Sequence, residues 1–151
     1  MSGFIANSNT MVEIEQIVNN GFFPDIDLCH FRAVMAVENR VTSEQMRQAI
    51  IDAMLPINSE LKSWQENSQV QYLADVPSEH YGDQTRLEHL YRAALFNRAR
   101  GLLLERYCIE SVQSDHDRIG KMDNPANECF RRSRQALRSL LGTPRITVEL
   151  I

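Results

Sequence analysis

Between residue 83 or 84 and residue 107 the chain reads as one long helix with apolar residues on two sides, which narrows its possible folds more than any other stretch. Leu87, Leu90, Tyr91, Ala94, Leu95 and Leu102 recur at the three- and four-residue steps of one helical face. Phe96, Leu103 and Tyr107, at steps of seven and four, fall on nearly the opposite side. A helix apolar on two sides has to be buried on two sides. Either it is the central helix of a bundle, or its second face meets another subunit. We expect a neighbouring copy to cover part of that second face, with Phe96, Leu103 and Tyr107 in the contact.

The flanking segments supply packing partners. Thr42 and Gln45 fit a capping box. After them Met46, Ile50, Ala53, Ile57, Leu61 and Trp64 mark one face of a second long helix, which Pro56 should kink. Gly21 and Pro24 turn the chain into a short helix over 28–37, capped by Asp25 or Asp27. Asn124 and Pro125 open the last helix, with Ala126, Phe130, Ser133, Leu137 and Leu140 as its buried stripe and Leu141-Gly142 as its stop. Residues 69–83 break the helical period, and Val70, Tyr72 and Asp75–Pro77 suggest an extended loop or a short strand, one possible partner for a strand at the C-terminal end. In "RITVELI", Ile146, Val148 and Leu150 alternate with Thr147 and Glu149, the period of a strand with one buried face. The fold class expected is therefore mainly α. It is a small helical bundle with two long helices (24–142), an extended N-terminal arm (1–23) and a short C-terminal strand (143–151).

At 151 residues, with 43% hydrophobic and 24% charged, the chain is neither disordered nor membrane-like. With no spanning helix and no leader expected, it reads as a soluble protein made in the cytosol. Three widely spaced cysteines, Cys29, Cys108 and Cys129, are odd in number and lack a Cys-x-x-Cys pair, so we read them as buried free thiols. The net charge of −4 hides a gradient: residues 1–85 carry −8 and residues 86–151 carry +4. Among the basic residues only Lys62 and Lys121 are lysines, and arginine favours forked pairing with carboxylates. That pattern fits either a solvated surface or the acidic half of one copy meeting the basic half of the next.

No catalytic constellation, metal-ligand set or cofactor motif emerges. His116 between Asp115 and Asp117 is a turn with nothing converging on it, and Cys29-His30 lacks further ligands or a base. The cluster that stands out is "FRRSRQALR". Arg131, Arg134 and Arg138 form a stripe beside the apolar face of the last helix, while Arg132 points elsewhere. This stripe is a solvated helix edge, a nucleic-acid contact or a docking surface for carboxylates of a neighbour.

With these pieces in place the chain resembles the head completion protein L family of contractile-tailed temperate phages. The resemblance rests on "GFFPDIDLCHFRAVM", "VTSEQMRQAIIDAM" with "NSELKSW", "LYRAALFNRARGLLLERY" and the closing "RRSRQALRSLLGTPRITVELI", in this order. It covers about residues 20–151, with departures at Cys29 and after Tyr107.

The resemblance implies a structural, non-enzymatic protein without cofactor or metal. Its copies would form a ring on the portal protein, dodecameric when seated there, at the head–tail junction of the virion. The ring would hold packaged DNA, which passes through without sequence-specific binding, and meet neck or tail-completion proteins, with no membrane involved. The expected interface residues are Phe96, Leu103, Tyr107, Arg131, Arg134 and Arg138, together with Arg145, Ile146, Val148, Leu150 and Ile151 if the terminal strand adds to a partner. The alternative is a small helical DNA-binding regulator, with salt-sensitive duplex binding. An enzyme built around His116 is third.

Overall fold

In the computed structural model, which describes residues 15–107 and 124–142, five α-helices carry the fold. They are α1 (Leu28–Met35), α2 (Ser43–Glu60), α3 (Lys62–Ser68), α4 (Arg86–Tyr107) and α5 (Pro125–Leu141). Two short antiparallel ladders accompany them. One joins β1 (Gln16–Ile17) to β2 (Ile26–Asp27), and the other joins β3 (His80–Tyr81) to β4 (Gln84–Thr85) through a turn in which Gly82 has φ 65°.

Local chemistry sets the helix ends. The Asp27 carboxylate accepts from the N–H of Cys29 and of His30, and α1 stops where Ala36 enters the left-handed region, two residues earlier than expected. Thr42 and Gln45 make both bonds of the capping box on α2. The helix read through Trp64 is divided at Leu61, and α3 completes it. α4 begins later than expected because Thr85 and Glu88 form a second capping box: Glu88 accepts from the Thr85 N–H at 2.8 Å and donates its own N–H to the Thr85 hydroxyl at 3.2 Å. The Asn124 side chain caps α5, and Gly142 at φ 60° ends it.

The two-sided helix is the centre of the bundle, with α5, α2 and α1 packed around it. On its α5 side Gly101 has no side chain, and a Cβ there would lie 2.6 Å from the Phe130 ring. The helices approach closely enough for the Ser133 hydroxyl to donate to the Ala94 carbonyl at 2.7 Å. Toward α2, Asn19, Asn58 and Tyr91 close a ring of hydrogen bonds: Asn19 donates to the Tyr91 oxygen, Tyr91 to Asn58, and Asn58 back to Asn19, at 2.9, 2.7 and 2.9 Å. Tyr91 is fully buried and stacks on Phe23 with ring centroids 4.4 Å apart. Burial pushes its hydroxyl well above the ordinary tyrosine range, and the two asparagines oppose that shift without cancelling it. A complete ring of this kind leaves no buried polar atom unmatched, which would otherwise cost about 1–3 kcal/mol per group.

Two expectations are corrected by this packing. Residues 15–23 are not part of an arm: Ile17, Phe22 and Phe23 are core residues, Asn19 is buried in the polar ring, and Phe22 receives the Leu73 N–H on its carbonyl. Phe96 and Leu103 are buried within the chain itself, so it is this chain and not a neighbouring copy that covers most of that second face. Phe31 packs edge-on against Phe96 at 5.1 Å. The α1–α2 connection, through Val37 and Val41, borders the recess that Leu103 and the half-buried Tyr107 line. Arg32 pins that connection by donating to the carbonyls of Glu38 and Val41. In the stretch 69–83 a short 3-10 turn forms at Leu73–Asp75, and the short strand comes later, as β3 at His80–Tyr81.

Candidate assembly surface

α5 divides sharply between two faces. Ala126, Cys129, Ser133, Ala136, Leu137 and Leu140 are buried, while Arg131, Arg132, Arg134 and Arg138 are all exposed. The expected stripe of Arg131, Arg134 and Arg138 thus faces outward. Arg131 makes a forked pair with Glu128 at 2.7 and 2.8 Å, and Arg132 reaches the same carboxylate at 2.9 Å. Hydrogen bonds from Arg131 and then from Arg132 hold the Glu128 carboxyl down to about 2. Arg134 has no ion-pair partner among the described residues.

The arginines of α4 are placed differently. Arg106 pairs with Asp52 of α2 at 2.6 Å, and Arg98 lies 3.5 Å from Glu60 of the same helix. The Arg106 guanidinium, followed by Gln48, holds the Asp52 carboxyl below its usual range. Part of the charge gradient is therefore matched within one copy, where the acidic α2 meets the basic α4. Among the described residues α5 gathers four exposed arginines on one helix, while Lys62 and Arg86 are exposed singly elsewhere.

On another side of α4 the molecule opens into a cleft of about 780 Å³. Its walls come from the β1–β2 turn, α1, the β3–β4 hairpin and α4, with the buried Phe96 at its base and Asp25, Asp27 and Asp83 among its lining residues. Sequence reasoning missed this cleft. The hairpin that forms one wall was signalled by the Gly82-Asp83 pair, which suits a two-residue turn.

Among the described residues no group of three histidines, cysteines or acids could hold a metal ion, and no helix is long and apolar enough to cross a membrane. Cys29 is exposed, contrary to expectation, because α1 turns Leu28 and Phe31 inward and leaves position 29 outside. Cys129 is buried, and burial pushes its thiol up. Cys108, His116 with its flanking aspartates, and Arg145, Ile146, Val148, Leu150 and Ile151 lie outside the described residues.

The family model described as phage head completion protein (GPL) matches residues 17–151. The chain is 30% identical over 139 residues to the head completion/stabilization protein of Escherichia phage P2, covering 89% of this chain and 82% of that one. It is 26% identical over 138 residues to the probable head completion/stabilization protein of Haemophilus phage HP1 (strain HP1c1), covering 89% and 91%. No solved structure matches.

Proposed function

The chain belongs to the phage head completion protein family, and on that premise we propose that its copies assemble as a ring on the portal after DNA packaging. The ring retains the genome and presents the surface to which the tail joins, so the protein resides at the head–tail junction of the virion. The reading is carried by similarity over nearly the whole chain to two head completion/stabilization proteins. The outward arginine face of α5 supports it, because a head-to-tail ring contact joins two unlike surfaces and this face is available as one of them. In the same reading residues 145–151 add as a strand to a neighbouring subunit or to a portal or tail-side partner, with Ile146, Val148 and Leu150 as apolar anchors and Arg145 and Ile151 at its ends.

The test is in vitro completion. DNA-filled capsids made without this protein should leak their genome and refuse tails, and adding the purified chain should restore both properties. Light scattering in line with a sizing column should show portal rings gaining mass from bound copies. Capsids that keep DNA and accept tails without the chain would overturn the proposal.

A further inference from the structure

We propose that the 780 Å³ cleft seats the α5 arginine edge of a second copy, forming the contact that repeats around the ring. This inference rests on the ring reading above and names the two surfaces that meet in it. The cleft carries Asp25, Asp27 and Asp83, none of which pairs with an arginine or lysine among the described residues. Arg92, the arginine in its wall, is hydrogen-bonded to Gln84. Val34 and Tyr81 stand on the rim with more than half of each exposed, at 56%. Across α5, Arg134 has no ion-pair partner among the described residues, and the partly exposed Leu141 lies seven residues along the same edge. Acidic walls with an apolar rim thus face a basic edge with an apolar end.

The placement of the two surfaces also suits a repeating contact. α5 lies against Ala94 and Gly101 of α4, whereas the cleft is bounded by His89, Arg92 and Phe96 on a different side of that helix. Among the described residues the two surfaces therefore do not cover each other on one copy, and neither is self-complementary. Unlike surfaces of this kind join head to tail and close into a ring or run on as a filament. Charge complementarity fixes the register of such a contact and makes it sensitive to salt.

A charge swap between copies tests the contact. Arg134→Glu and Asp83→Arg both alter exposed side chains, and circular dichroism should show each variant folded. Alone, each should load portal rings and self-associate at least about tenfold more weakly than the natural chain, because like charges then face each other at every contact. Mixed in equal amounts they should recover, since each altered face now meets its opposite in the alternating copy. Val34→Glu should weaken loading without rescue by either partner. If the natural chain loads portal rings while both charge variants load equally well, the cleft is not the contact and the ring reading stands. If Asp83→Arg blocks loading but the mixture stays inactive, the cleft receives a portal segment, and the second-copy proposal falls. A natural chain that never joins portal rings removes the ring reading and this contact together.

Discussion

α4 and α5 are both arginine-rich helices, yet they use their charge in opposite directions. Arg98 and Arg106 of α4 reach across to Glu60 and Asp52 on α2, so they knit the bundle. Among the described residues Arg131 and Arg132 of α5 pair with Glu128 on their own helix, and Arg134 reaches no carboxylate. The difference follows from position. α4 has neighbours on three sides, so even its polar side chains fall near other elements of the chain. Among the described residues α5 packs mainly on α4, and its four arginines are exposed. Composition alone does not separate a stabilising arginine from a docking one; what lies within reach of it does.

The largest test of this contrast is Leu103→Asp. Leu103 is 5% exposed, and placing a carboxylate there removes apolar packing and buries an unpaired charge, a loss of about 3–5 kcal/mol. Against a typical total of about 5–15 kcal/mol, the thermal transition should fall steeply or lose its cooperativity. Leu103→Asp with native melting but no portal loading would instead show that the second face of α4 is an outer surface. The same change at Arg134, on α5, should leave melting almost untouched.

A medium effect is expected at the seam between the two helices. Gly101→Ala places a Cβ against the Phe130 ring, where 2.6 Å is too short for two carbons. Overpacking of this sort costs about 1–3 kcal/mol. The gain in helix propensity from glycine to alanine returns about 1 kcal/mol. The balance should be a net loss of about 1 kcal/mol, read by urea denaturation. In a Phe130→Ala background the obstruction is gone, so the same substitution should stabilise by roughly the propensity gain. A Gly101→Ala effect of equal sign in both backgrounds would mean that the seam has room to give.

These outcomes also mark what the sequence made legible. The apolar period of α2, the Thr42 capping box, the Asn124-Pro125 start and the buried stripe of α5 are local signals, and each has its place in the structure. The Thr85–Glu88 capping box is equally local, and it starts α4 later than the apolar period alone suggests. The position of residues 15–23 was not readable in this way. Asn19 becomes a core residue only because Asn58 and Tyr91, far away in the chain, complete its hydrogen bonds. The cover over Phe96 and Leu103 is non-local too, since Phe31 and the α1–α2 connection reach them through the fold. Periodicity showed that α4 has two buried faces, but could not say which chain buries the second. The arginine stripe was legible as a stripe, while the acidic cleft was not, because four separate segments build it.

The smallest effect concerns the grip that α5 keeps on its own arginines. Glu128 is held down to about 2 by Arg131 and Arg132, against an ordinary glutamate value of about 4.3. A carboxyl with a depressed folded value contributes stability above its unfolded value, and loses that contribution as pH falls through the folded one. The Glu128 contribution should therefore be complete above about pH 5 and fade toward pH 2. Because the carboxylate and both guanidinium groups are open to solvent, the effect is screened and small. Glu128→Gln should lower the melting temperature slightly at pH 7, less so in high salt, and the gap from the natural chain should close toward pH 2. Asp52→Asn, which removes an interhelical pair of α4, should show an acid dependence of the same sign with a larger gap at pH 7, because it uncouples two elements of the bundle. If Glu128→Gln proves the more damaging of the two, the α5 arginines are part of the fold after all, and the contrast between an inward-facing and an outward-facing helix fails.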